Sequence, residues 1–289
     1  MTVSFTALDA PLGALVGDFD PAATMTDELI ASLSLGLAKH GVLVFRGQEI
    51  TPAQFVTLGR AFGDLEILPE PDKRHADHPE IFNLSNVRSD GELVVYHEPQ
   101  SVFLRGTERW HTDSSFREVP CLCTMLYAVD VPASGGETQF ANMVAAFESL
   151  GADEQQRLGE VELVHDYVWS RANNPGEMDE MDEAEKAKYP AVHHPLVRTH
   201  ADGRRSLYMG GHVSHVAGDD TPVGRAMIDD LTERTTAPRF LYEHHWQPRD
   251  LVVWDNRSTL HRLRPYDIAN ERRVMRRITV AGSEAVRGV

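Results

Sequence analysis

A histidine and a carboxylate stand two residues apart in Trp110-His111-Thr112-Asp113. Alternate side chains of an extended segment share a face, so this spacing can present both groups to one metal ion. The short pattern arises often by chance and needs a third donor to carry meaning. His261 offers one: it follows the run Leu251-Val252-Val253-Trp254-Asp255-Asn256-Arg257, which reads as a strand entering a turn. Two imidazoles and one carboxylate are the donor set of facial non-haem iron sites, which leave coordination positions open, and Fe(II) is the ion this set favours. Beyond His261 the chain becomes rich in arginine, from Arg272 to Arg277. On a strand, Arg273, Met275 and Arg277 would share one face. A guanidinium fork offers a carboxylate two parallel hydrogen bonds, so an anionic ligand near the ion is expected.

The elements that must position these groups can be read in order. Residues 3–16 alternate weakly and suit a small leading sheet. Thr24 and Thr26 are candidate N-caps for a helix carrying Leu29, Ile30, Leu33, Leu37 and Ala38 at helical spacing and closed by Gly41. Val42 to Phe45 is then a buried strand, and Thr51-Pro52-Ala53-Gln54 has a capping-box outline that opens a second helix through about Phe62. Residues 81–87 and 93–96 flank the turn 88–91 as a hairpin, and 123–129 is a strand. Residues 141–150 read as a helix capped by Gly151, 193–200 and 206–209 as a hairpin, and Thr221 with Pro222 as the start of a helix through about Thr235. Residues 240–246 alternate into a turn that delivers the chain to the final strands. The polar, acidic stretch 173–188 lies within an insertion around 165–190 that reads as a lid or as a solvated surface helix.

A chain of 289 residues with 42% hydrophobic content can bury a large core, and no linker or repeat divides it, so a single domain over 1–289 is expected. The net charge of −16 argues against a nucleic-acid partner, whose phosphates require cations. It also means that an anionic substrate must be drawn in by local positive charge. Cys121 and Cys123, two apart in an apolar stretch, are read as buried thiols rather than a disulfide. The N-terminus lacks a basic region followed by a long apolar run, so neither a secretory signal nor a membrane span is expected, and a soluble cytoplasmic protein is.

Taken jointly, Trp110-His111-Thr112-Asp113, Trp254-Asp255-Asn256-Arg257, His261, Arg273 and Arg277 resemble the Fe(II)/2-oxoglutarate-dependent dioxygenases of the taurine and 2,4-dichlorophenoxyacetate dioxygenase family, from about Leu43 to Val280. The chain is most similar to the 2,4-dichlorophenoxyacetate branch in Ser85-Asn86-Val87, in 195–200, in 211–216 and at His261. The resemblance implies a mostly β fold with flanking helices, a double-stranded β-helix (jelly roll, cupin-like), where the strand pattern alone leaves sandwich and barrel open. It implies iron held by His111, Asp113 and His261, with 2-oxoglutarate as co-substrate and O2 as oxidant. Arg277 with Thr138 would bind the distal carboxylate of 2-oxoglutarate, and Arg273 the carboxylate beside its keto group. The implied reaction hydroxylates a small carboxylic acid, an aryloxyalkanoate, with release of succinate and CO2 and collapse of the product to a phenol and an oxo acid. Related iron halogenases lack the carboxylate ligand, so Asp113 favours hydroxylation. Asn86, Arg105, Arg109, His200, His212 and His215 are candidate substrate residues, each with an ordinary structural role as the alternative. Asp255 and Asn256 are candidate supports for the imidazoles, with capping of the turn the favoured alternative. Two other functions stay open: a sulfonate or alkyl sulfate dioxygenase on the same site, and a non-catalytic metal-binding jelly roll, against which no fourth protein ligand is implied. Homo-oligomerisation is left open.

Overall fold

In the computed structural model, the apolar run Val42–Phe45 forms a strand buried on both faces. Its residues divide between two cores, as side chains alternating across a strand must. Leu43 and Phe45 pack with Leu29, Leu33, Leu37, Phe55 and Leu58 of two helices. Val42 and Val44 instead join Phe140, Trp254 and Met275. Met125 and Val253 go with the first group, and Leu126, Ala128 and Val252 with the second. One sheet is therefore a middle layer, with helices on one face and a second sheet on the other.

The middle layer has seven strands, in the spatial order Ser4–Ala7, Ala14–Gly17, Val42–Phe45, Leu251–Asp255, Cys123–Asp130, Val274–Val280 and Phe82–Ser85. Only the pairing of Ala14–Gly17 with Val42–Phe45 is parallel. The facing sheet has three strands, Leu241–His244, Thr138–Asn142 and Thr259–Leu263. The chain is thus mostly β with flanking helices, and the structure describes residues 2–68, 70–88, 90–95, 98–174 and 181–289. Among the described residues no helix is long and apolar enough to cross a membrane.

Local signals account for the helices on the outer face. The Thr26 side chain accepts from the Leu29 N–H, Gly41 ends that helix at φ 71°, and Leu29, Leu33 and Leu37 are buried. Burial of such side chains contributes roughly 1.5–3 kcal/mol each, more than the helix's own propensity supplies. Thr51 and Gln54 form the capping box of helix Pro52–Arg60. Thr221 likewise caps Pro222–Thr235.

Elsewhere the structure departs from the sequence reading. Of the expected hairpin over 81–96, the described residues show strand Phe82–Ser85 and a bridge between Val87 and Leu93, with Tyr96 outside the described residues, and helix Pro99–Gly106 follows. The helix expected over 141–150 is Met143–Glu148 with Asn142 as its N-cap, and Gly151 caps the start of the next helix, Ala152–Gly159. The hairpin expected from 193 to 209 is split between two sheets. Val192–Pro195 pairs with Glu162–His165, and Val197–Thr199 with Arg205–Leu207. The insertion around 165–190 contains helices Tyr167–Ala172 and Glu183–Lys186, while 175–180 lie outside the described residues. Cys121 and Cys123 are buried and not bonded to one another.

Candidate active site

His111 and His261 are held face to face by their own backbones. The His111 N–H donates to the His261 carbonyl (3.0 Å) and the His261 N–H to the His111 carbonyl (2.8 Å), an antiparallel bridge on strand Thr259–Leu263. The ring centroids lie 4.2 Å apart. His111 is a single bridge residue and the chain turns from Asp113 onward, with Ser114 at φ 54°, so His111 and Asp113 do not lie on a continuous strand. The Asp113 carboxylate comes within 4.0 Å of His111 Nε2 and 3.6 Å of His261 Nε2. One donor atom from each of the three residues lies within 4.8 Å of the others. Gly210, at φ 140°, lets a neighbouring segment pass closely: a Cβ there would stand 3.1 Å from His111 Cα.

The donor set suits a divalent ion. His111 Nδ1 lies 2.7 Å from the Arg109 carbonyl, which places the proton there and leaves the Nε2 lone pair free for a metal. Burial lowers the pKa of both imidazoles and keeps them neutral, the form that ligates. Burial alone would raise the Asp113 carboxyl, but the Arg277 guanidinium, with Nη2 3.1 Å from Oδ1, and the Thr124 hydroxyl at 2.7 Å hold it well below the usual carboxylate range. Asn256 ties this loop to the sheet. Its Oδ1 accepts from Trp254 Nε1 (3.0 Å) and from the Asp113 N–H (3.2 Å), and its Nδ2 donates to Thr124 Oγ1 (2.9 Å). Asp255 instead caps its turn, accepting from the backbone and guanidinium of Arg257.

Two cavities meet at His111, Asp113 and Arg277, and His261 lines the smaller of them. The smaller, about 50 Å³, is lined by Thr138, Arg273, Leu126, Trp254, Leu263 and Arg277. Arg273 is buried, which brings its guanidinium down to about 10, and it pairs with no carboxylate among the described residues. Gly136 nearby, at φ 72°, leaves no room for a side chain, since a Cβ there would meet Pro132 Cγ at 2.8 Å. Thr138 Oγ1 accepts from Trp246 Nε1 at 3.0 Å. The two arginines therefore differ in depth: Arg277 stands beside Asp113 and the donor set, and Arg273 beyond it with Thr138.

The larger cavity, about 150 Å³, has an aromatic wall of Phe82, Phe103, Phe116, Tyr167 and Tyr189. Phe116 and Tyr167 lie 4.5 Å apart between centroids, and Tyr167 and Tyr189 4.6 Å apart. Arg109, Arg171, His212 and Arg277 add polar groups.

Residues 4–279 match the family described as taurine catabolism dioxygenase TauD, TfdA family. The chain belongs to that family. The dioxygenase is 36% identical over 284 residues to the alpha-ketoglutarate-dependent 2,4-dichlorophenoxyacetate dioxygenase of Cupriavidus pinatubonensis, spanning 97% of this chain and 98% of that protein. It is 31% identical to a (S)-phenoxypropionate/alpha-ketoglutarate-dioxygenase of Sphingobium herbicidovorans, over 96% of this chain and 94% of that one. Among solved structures it resembles AAD-2 in complex with Mn(II) and N-oxalylglycine, with a TM-score of 0.89 and 33% identity over 98% of this chain and 100% of the other.

Of the six substrate candidates, Arg109 and His212 line the larger cavity of the dioxygenase. His212 Nδ1 lies 2.9 Å from Ser170 Oγ, and burial lowers its pKa to about 3, so it offers a hydrogen bond rather than a charge. The other four line neither cavity. Asn86 is fully buried; it donates to the Ile268 and Glu271 carbonyls and accepts from the Arg273 N–H at 2.7 Å, anchoring the segment that carries that arginine. Arg105 sits on helix Pro99–Gly106, whose Phe103 and Gly106 line the larger cavity while it does not. His200 bonds Ser206 Oγ across its hairpin (2.9 Å), and His215 meets Ser214 Oγ (2.9 Å) on strand Val213–Val216. Thr124 and Trp246 carried no signal in the sequence, because their partners stand far along the chain.

Proposed function

We propose that this dioxygenase uses Fe(II), 2-oxoglutarate and O2 to hydroxylate an aryloxyalkanoate, or a similar small carboxylic acid, at the carbon between the ether oxygen and the carboxylate. The observation that carries this reading is the placement of His111, Asp113 and His261 between a cavity ending in an arginine and a threonine and a second cavity walled by aromatic rings. When bound, the iron with the oxo acid and O2 supplies the oxidative chemistry, which yields succinate, CO2 and a hydroxylated substrate that collapses to a phenol and an oxo acid.

The protein's own part is binding, orientation and exclusion of water. His111, Asp113 and His261 hold the ion on one side and leave the other open. Arg273 and Thr138 grip the distal carboxylate of 2-oxoglutarate. This exchanges the arginine roles expected from sequence, because Arg277, at 3.1 Å from a metal-ligand oxygen, stands at the near end of the cavity. Arg277 is placed instead for the carboxylate groups next to the ion. Phe116, Tyr167 and Tyr189 form one wall for the aryl ring, and Arg109 and His212 supply polar groups in the same cavity. The names of the relatives, which specify phenoxy acids, support the same substrate class.

We take the facing seven- and three-stranded sheets as a double-stranded β-helix, a cupin-like jelly roll, in one cytoplasmic domain over 1–289 whose insertion around 165–190 acts as a lid. Succinate release from the iron-loaded enzyme, scored over a panel of phenoxy acids, sulfonates and alkyl sulfates, tests the reading. The expected result is phenol from the phenoxy acids, dependent on iron, oxo acid and O2 together, and none from His111→Ala. Sulfite or aldehyde as the dominant product would assign the site to sulfonates or sulfate esters, and undiminished succinate from His111→Ala would overturn the metal assignment.

A further inference from the structure

We propose that Trp246 is a positioning residue that fixes the direction of the Thr138 hydroxyl proton, making the far end of the co-substrate cavity a site for a carboxylate and against a group that brings its own donors. The proposal rests on the reading that 2-oxoglutarate occupies the cavity lined by Thr138 and Arg273.

An indole N–H can only donate, whereas a threonine hydroxyl has one proton and two lone pairs. Trp246 Nε1 lies 3.0 Å from Thr138 Oγ1 and takes one of those lone pairs. Thr138 is buried and its hydroxyl donates to none of the described residues. The proton is thereby left for an acceptor in the cavity. Arg273, buried in the lining of the same cavity and free of any carboxylate partner among the described residues, adds further donors. A carboxylate accepts at both oxygens and satisfies this end of the cavity. An amide would aim an N–H at the guanidinium or the hydroxyl and leave a buried donor unpaired, which is the costly case.

Trp246 packs against a hydrogen-bonded group that is itself fixed. Its ring stands edge-on to that of His244, with 4.4 Å between centroids and 80° between planes. His244 and Asp250 are both fully buried, and His244 Nε2 lies 3.1 Å from Asp250 Oδ2. A carboxylate can only accept, so His244 carries its proton on Nε2 and its Nδ1 accepts from the Tyr242 hydroxyl at 2.8 Å. Asp250 also pairs with Arg46 and accepts from the Gln247 N–H at 2.8 Å, the residue next to Trp246. Tyr242 and His244 therefore have assigned donor directions, and the indole packed edge-on against His244 sends its own N–H to Thr138.

The test is a double-mutant cycle read by binding, not turnover. The full chain loaded with Mn(II) is titrated calorimetrically with 2-oxoglutarate and with its distal amide, using the wild type, Trp246→Phe, Thr138→Val and the double variant. Loss of one hydrogen bond to a charged group predicts 2-oxoglutarate binding about tenfold weaker in Trp246→Phe, with a narrower preference for acid over amide. In the Thr138→Val background the same tryptophan substitution should change affinity by less than about twofold, because its effect passes through the hydroxyl. An equal loss in both backgrounds, or no loss in either, overturns the proposal while leaving the co-substrate reading standing. Failure of the wild type to bind 2-oxoglutarate overturns both.

Discussion

At the scale of single residues, Asp113 answers to two kinds of positive charge. It is a metal donor by geometry, and Arg277 Nη2 lies 3.1 Å from its Oδ1. Both groups are largely withdrawn from water, Arg277 having a side-chain exposure of 16% and Asp113 of 6%. A buried carboxylate stripped of its partner costs about 3–5 kcal/mol. Chelating the metal leaves Arg277 as the main counter-charge of Asp113, so Arg277→Met should destabilise the protein most in chelator. Adding Mn(II) should recover part of the loss by placing a dication on the same carboxylate. Urea unfolding in chelator and in excess Mn(II) measures this, with the metal-induced gain larger in the variant than in the wild type. An equal gain in both would mean that Arg277 does not neutralise Asp113.

At the scale of elements, helix Tyr167–Ala172 brings its first residue to the larger cavity, capped by Asp166, which accepts from the Trp169 N–H at 2.9 Å. Tyr189, beyond the second helix of the insertion, packs against Tyr167 with 4.6 Å between ring centroids and the planes tilted by 43°. An aromatic pair is worth about 0.5–1.5 kcal/mol beyond its buried area, so Tyr189→Ala should raise KM for an aryl acid by roughly threefold to tenfold. KM for 2-oxoglutarate should stay where it is, since Tyr189 lines only the other cavity. A shift in the 2-oxoglutarate KM instead would remove the insertion from substrate binding. The sequence announces elements whose signals are local: Thr26, Thr51 and Thr221 cap the helices expected of them, and Val42–Phe45 is a buried strand. Helix Ala152–Gly159 is harder to read because it has no side-chain cap and one buried residue, Leu158, and Gly151 before it serves equally to end one helix or begin another. Alternation puts Arg273 and Arg277 on one face but says nothing of which lies nearer the metal. His200 and His215 share a residue type with His111, and residue type alone does not separate them; their local partners, Ser206 across a hairpin and the adjacent Ser214, show ordinary structural roles. Trp246 and Thr138 are 108 residues apart, and no spacing rule joins them.

Across the whole molecule, histidines outside the metal site set the response to acid. His165 and His194 are buried side by side with Tyr208, at 5.0 Å between the two imidazole centroids, and neither ring nitrogen of His165 has a hydrogen-bond partner among the described residues. Burial lowers the pKa of His165, His194, His200, His212 and His244 from the ordinary 6.5, to about 4 for His200 and about 3 for His212. Below pH 6.5 the unfolded chain therefore binds protons at these positions that the native state does not. Stability is full above 6.5 and is lost as the pH falls toward the native values. A second effect opposes this one: the formal charge of −16 shrinks on acidification, which relieves self-repulsion. Salt screens that surface term and barely touches the buried rings, so at moderate ionic strength the histidines decide. In chelator at about 0.3 M salt, the urea midpoint should fall steadily from pH 7 to pH 5, on the order of 1 kcal/mol per pH unit for each histidine that stays neutral. His200→Gln, which removes one such group while keeping a partner for Ser206, should make the decline shallower. A midpoint that rises on acidification would mean that charge repulsion outweighs the buried imidazoles.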